Sequence, residues 1–220
     1  MVRVLAGTVF SLGLVLVGGA ELCTGNNVVV MAWASRRVST GLLLRNWLVV
    51  YAGNFVGAIG TAILVYLGGQ HLFGSGAVGA AALATADAKS GLGFVQAVAL
   101  GTLCNALVCL AMWLTLSTRT VADKILAIVP PIAAFVAAGF EHSVANMYFI
   151  PSGLFIKAGA PESFWTQIAR TPADYPNLTW HRFLVHNLIP VTIGNIIGGE
   201  VLVGIVYWFV YLGARSLAAA

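Results

Sequence analysis

Of the 220 residues, 60% are hydrophobic and only 8% are charged, and the mean hydropathy is +0.93, which excludes an ordinary soluble domain, where about one quarter is charged. The net charge of +4 is scattered instead of gathered into a basic block, which argues against a nucleic-acid surface. Crossing a bilayer as a helix takes roughly 20 mainly apolar residues, and four or five such stretches fit, so an all-α membrane protein of one domain is expected.

In chain order, a first apolar segment covers about residues 4–20 and breaks at ELCTGNN. A short apolar piece, 28–34, follows and ends at Ser35-Arg36-Arg37. A full span is expected at 42–67, then a Gly-, Ala- and Ser-rich connection carrying Lys89. The next span, 94–116, contains Asn105 and Val108 and ends in the polar turn STRTVADK. A further span starts near residue 125, contains Pro130-Pro131, and breaks at GFEHSVANM. A short piece at 147–156, a polar stretch with a surface helix at 162–169, and a last span at 183–212 complete the chain. Cys23, Cys104 and Cys109 lie inside apolar stretches without zinc or redox spacing, so neither a metal nor a cofactor is expected.

The chain repeats itself. G-x-E-x-x-x-x-N occurs at Gly19, Glu21 and Asn26 and again at Gly139, Glu141 and Asn146. N-x-x-x-x-x-x-G-N-x-x-G occurs at Asn46, Gly53, Asn54 and Gly57, and again at Asn187, Gly194, Asn195 and Gly198. Two motifs repeated in the same order point to internal duplication. The second half has a span before its broken helix and the first half has none, so symmetry predicts one further helix. Each repeat then holds three helices, five of six spans are present, and the odd number inverts the second repeat. The division is a first repeat at 1–68, a connector at 69–92 and a second repeat at 93–214. The short connections carry Arg36, Arg37, Arg45, Arg119 and Lys124, which places them and the C-terminus on the cytoplasmic side.

A charge inside a membrane helix costs roughly 2.5–3.5 kcal/mol on insertion scales. Glu21 and Glu141, with Asn26 and Asn146, recur at equivalent places, as supports that cap the backbone of a broken helix would. His142 differs, because its counterpart is Leu22. It is read as a pore-centre residue able to donate to an anion or to exchange a proton with it. The breaks also create half-helix N-termini, whose free donors suit an anion near the membrane midplane. Thr24, Asn105, Asn54 and Asn195 offer neutral donors, although the motif that holds Asn54 and Asn195 reads first as a helix-packing and hydrogen-bonding feature. Taken alone, Phe10, Leu14 and Phe135 read as core and Lys89 as a solvated loop charge.

FEHSVANMYFIPSGLF resembles the signature of the formate/nitrite transporter family, and GAELCTGNN, NWLVVYAGNFVGA and NLIPVTIGNIIGG are similar to it as well. The resemblance covers essentially the whole chain and implies an aquaporin-like protomer in a homopentamer of the bacterial inner membrane, with a pore in each protomer. It implies His142 as the central pore histidine, Thr24 as its partner, Asn105 and Asn195 as polar pore positions and Lys89 as a vestibule lysine. Leu14 and Leu22 with Val108 would form one constriction, and Phe10 with Phe135 the other. Cys23 stands where the family has Phe, and Glu200 where a small or apolar residue is expected. The substrate implied is a small monovalent anion, formate first, with or without proton coupling. Nitrite, hydrosulfide and a non-conducting truncated remnant are the alternatives, whereas an enzyme using Glu141 and His142 lacks a nucleophile.

Overall fold

The computed structural model describes residues 21–213, and within them every regular element is helical. The expectations for Phe10 and Leu14 lie outside the described residues. After the turn at Asn26–Val29 comes the short helix α1 (Val30–Ala34). The 28-residue α2 (Thr40–Leu67) starts where Ser39 accepts a hydrogen bond from the Leu42 amide, at 3.3 Å. The span α4 is Phe94–Thr115. α5 (Val121–Ala137) starts at a capping box in which Thr120 and Asp123 satisfy each other's backbone amides. Pro130 and Pro131 lie inside α5 without ending it, as membrane helices allow when neighbours satisfy the freed carbonyls.

Four elements differ from expectation. α5 starts about four residues early, because the Thr120–Asp123 capping box draws residues 121–124 of the expected polar turn into the helix. The connector contains a 14-residue helix, α3 (Ala77–Ser90), whose alanine-rich sequence has high intrinsic helix propensity but no amphipathic period to announce it. α6 (Ser143–Gly159) begins earlier than the predicted piece, because His142 caps it directly after the break. The surface helix α7 stops at Glu162–Gln167, where the chain turns through a left-handed Ala169 with φ of 50°.

The last helix, α8 (Arg182–Leu212), is 31 residues long and includes wide π-type turns at Arg182–Leu188 and Ile197–Ile205. By length and composition α2, α4 and α8 can each cross a membrane. α4 lies along α8, α2 along α6, and α3 packs on α6. The α4–α8 approach depends on glycine: a β-carbon at Gly194 or Gly198 would run into the Val98 and Thr102 carbonyl oxygens. Among the described residues, the duplicated positions Gly53 and Gly57 on α2 meet nothing within 4 Å. Large apolar side chains such as Leu48, Val56, Leu64 and Leu67 stand exposed along α2, a surface suited to lipid or to another protein and not to water.

Candidate functional site

The site is built around two breaks, at residues 21–25 and 138–142, held by the same bonds in both halves. At the first, Glu21 Oε2 accepts from Asn26 Nδ2 at 3.0 Å and Asn46 Nδ2 at 3.3 Å, and Asn26 also donates to Asn46 Oδ1 at 3.2 Å. At the second, Glu141 Oε2 accepts from Asn146 Nδ2 at 2.6 Å and Asn187 Nδ2 at 3.4 Å, and Asn146 donates to Asn187 Oδ1 at 2.9 Å. Asn54 braces its break by accepting from the Cys23 amide at 2.9 Å and donating to the Glu21 carbonyl at 3.1 Å. Asn195 does the same with the Ser143 amide at 2.9 Å and the Glu141 carbonyl at 3.0 Å. A carboxylate has only acceptor sites, so it can collect several amide donors that an interrupted helix brings together. The duplicated asparagines were visible in sequence as a repeated motif, but the use of Asn46 and Asn187 as clamps on the glutamates was not.

The halves differ in charge and burial. Glu21 is exposed, whereas Glu141 is 3% exposed and takes the Lys89 ammonium at 2.7 Å on its other oxygen. Lys89 is therefore no solvated loop charge: its side chain is 18% exposed, on the last turn of α3. The Asn187 amide also donates to the Lys89 carbonyl at 2.8 Å, which ties α3 to the second break.

Between the breaks, His142 meets Thr24. Both are buried, and His142 Nε2 lies 2.9 Å from Thr24 Oγ1. His142 Nδ1 accepts from the Ala145 amide at 3.1 Å as the N-cap of α6. A backbone N–H can only donate, so Nδ1 is the acceptor and the hydrogen of a neutral ring sits on Nε2, where it donates to Thr24. The Thr24 hydroxyl hydrogen then remains available to a third group. The expectation of free donors at the half-helix N-terminus needs correction. Asn195 Oδ1 takes the Ser143 amide and His142 takes that of Ala145, so side chains spend these two donors.

Phe135 stacks on the His142 ring, with centroids 6.1 Å apart and planes 19° from parallel. It belongs to one apolar cluster with Val108, Cys104, Ile128 and Ile132, against which Leu22 packs. Asn105, fully buried on α4, donates to the Asn195 carbonyl at 2.7 Å. Asn195 also donates to the Gly101 carbonyl at 2.9 Å, so its amide supports the backbone around the site. Glu200 is 6% exposed on α8, within electrostatic reach of Cys23 and Cys109.

Residues 1–209 match the family described as formate/nitrite transporter. The chain belongs to the formate/nitrite transporter family. It is 48% identical to the formate channel FocA of Escherichia coli (strain K12) over 214 residues, 96% of this chain and 75% of that protein. Identity to the formate channel FocA of Haemophilus influenzae is 42%, over 93% of this chain and 73% of the relative. Among solved structures, a pentameric formate channel with formate bound superposes with a TM-score of 0.88 at 44% identity, covering 94% of this chain and 83% of that one. An FNT family ion channel superposes at 0.74, with 32% identity and coverage of 92% and 74%. The family is one of membrane transporters, so the glutamate and histidine of the second break belong to a transport protein and not to an enzyme.

Proposed function

We propose that the chain passes formate, or a similarly small monovalent anion, through a pore centred on Thr24 and His142. The observation that carries this reading is the pair of opposed bonds on His142. With Nδ1 held by the Ala145 amide and Nε2–H given to Thr24, the hydroxyl hydrogen of Thr24 is oriented away from the histidine and toward an incoming acceptor. An anion meets a neutral donor there, and such weak, uncharged binding favours passage over retention. The apolar cluster of Leu22, Val108 and Phe135 borders the same point and makes the anion shed water. Lys89 supplies positive charge at the edge of the site, moderated by Glu141.

Proton coupling through His142 is the weaker reading. An imidazolium carries a hydrogen on both nitrogens and so gives up the cap on the Ala145 amide. A proton relay therefore has to break one end of α6, whereas a neutral donor does not.

The proposed architecture is an aquaporin-like inverted repeat of three-helix units, divided at 1–68, 69–92 and 93–214. The matched hydrogen bonds at the two breaks support it. Gly53 and Gly57, which meet nothing within 4 Å among the described residues, are the counterparts of Gly194 and Gly198, on which α4 packs in the second half. Assembly as a homopentamer in the bacterial inner membrane, with the C-terminus in the cytoplasm, is proposed from the likeness to a pentameric formate channel and from the arginines of the short connections.

The test is uptake by proteoliposomes containing the full chain, with formate, nitrite and hydrosulfide side by side. Formate flux well above that of empty liposomes is expected. Faster nitrite or hydrosulfide flux would reassign the substrate, and no flux of any of the three would overturn the transport reading.

A further inference from the structure

His71 is a buried titratable side chain for which the transport reading has no use. It sits on the turn Gln70–Leu72 between α2 and α3, outside the spans, and is 7% exposed. Its ring lies nearly flat on Tyr66 at the end of α2, with centroids 5.0 Å apart and planes 16° from parallel. Phe164 of α7 meets it edge-on at 5.6 Å. His71 Nδ1 is buried without a hydrogen-bond partner among the described residues. Gly69 and Gly76 bend the chain on either side with φ of 70° and 78°. A β-carbon at Gly79, in the first turn of α3, would stand 2.7 Å from both the His71 carbonyl oxygen and the Phe164 ring. His71, Phe164 and the start of α3 thus form one packed unit, and the other end of that helix presents Lys89 to Glu141.

A neutral imidazole fits this box, because one of its nitrogens need not donate. An imidazolium has two N–H donors, and here the Nδ1–H would be buried without an acceptor, a destabilising arrangement. The face of Tyr66 attracts a cation but supplies no acceptor in its place. The titratable groups on the surrounding elements do not compensate either. Glu162 is exposed on α7, and Lys157 of α6 is spent on the Tyr175 and Leu178 carbonyls. Asp87 is held by Asn177, and with Lys89 it lies at the far end of α3. Burial accordingly holds the His71 pKa below the ordinary histidine value. With the packed-state pKa depressed, a loosened state takes up the proton first. The packing is therefore fully stable above pH about 6.5 and weakens as pH falls below it.

We propose that His71 is a proton-sensitive positioning residue: as the neutral ring it seats α3 against α7, and proton uptake loosens residues 69–80 and the hold of α3 on the Lys89–Glu141 contact. The consequence for anion entry rests on the transport reading above, whereas the loosening itself does not.

The experiment is hydrogen–deuterium exchange on the full chain in liposomes at pH of about 7.5 and about 5.5, corrected for chemical exchange, in wild type and His71→Phe. Phe keeps the stacking and cannot titrate. Wild-type protection over residues 69–80 is expected to fall severalfold at the lower pH, with about tenfold as the ceiling for a loosened state of ordinary histidine pKa, and that of His71→Phe less than about twofold. Equal wild-type protection at both pH values, or the same loss in His71→Phe, overturns the proposal. Should His71→Phe fail to fold, the ring titration of His71 in wild type, followed by NMR, decides. A midpoint below about 6.5 supports the proposal, and one at or above it overturns it. Neither readout depends on flux, so a failure of the transport reading would remain distinguishable.

Discussion

Replacing Glu141 by Gln removes one charge and one acceptor from a site that uses both. Glu141 accepts from the Lys89 ammonium at 2.7 Å and from the Asn146 amide at 2.6 Å, one on each oxygen. A glutamine has a single acceptor oxygen, so in either orientation its NH2 group faces a donor. Breaking a buried ion pair by removing one partner costs about 3–5 kcal/mol. Lys89 keeps 18% of its side-chain surface and can turn partly to water, so the lower end, about 3 kcal/mol, is expected. Glu21→Gln is the internal control. Glu21 is exposed, no cation pairs with it among the described residues, and its asparagine donors have water as an alternative, so its loss stays under about 1 kcal/mol. The assay is equilibrium unfolding of the purified protein in mixed micelles, followed by circular dichroism, for both variants and for Glu141→Gln combined with Lys89→Gln. The double variant should recover about 2 kcal/mol relative to additivity, because no unpaired ammonium remains. Equal losses for Glu141→Gln and Glu21→Gln, or strict additivity in the cycle, would refute the assignment of the pair as the anchor of the second break.

Asn195→Ala leaves the Ser143 amide and the Gly101 and Glu141 carbonyls without the bonds that Asn195 gives them. It should cost about 3 kcal/mol in the same unfolding assay, against about 1 for Asn54→Ala at the more exposed break. Gly198→Ala forces a β-carbon into the Thr102 carbonyl and should cost about 1–3 kcal/mol, whereas Gly57→Ala, with open space beside it among the described residues, should stay within about 0.5. A costly Gly57→Ala would mean that this face is already covered. Thr24→Val removes the hydroxyl while keeping its volume, so formate flux in liposomes should fall about tenfold at every pH, the worth of one hydrogen bond. A loss confined to one end of the pH range would point to titration instead.

Much of this arrangement is legible in the sequence because it is duplicated. Glu21 and Glu141, Asn26 and Asn146, and Asn54 and Asn195 recur at fixed spacing, and a pairing needed twice leaves a pattern that one copy would not. Burial and cation pairing are not written at that level: Glu141 gains Lys89 and Glu21 does not, although their motifs match. α3 carries no such signal, because alanine and glycine have no apolar period, and without a helix to place it Lys89 reads as a loop charge unless the family resemblance is used. The cap formed by His142 was hidden for a different reason. Its partner is the Ala145 backbone amide, which any residue at that position would supply. His71 left no trace either, since the box closes only when Phe164, far along the chain, packs on it.

The proposed pore depends on a neutral His142 whose hydrogen lies on Nε2, so that the Thr24 hydroxyl turns toward the anion. Solid-state NMR of the full chain in liposomes, with 15N-labelled histidine and formate present, reads this directly; comparison with His142→Asn assigns the signal. From pH of about 8 down to about 5, spanning the usual histidine range, one neutral ring with an unprotonated Nδ1 is expected. A signal from a doubly protonated ring within that range, or a hydrogen on Nδ1, would contradict it and restore His142 as a proton carrier.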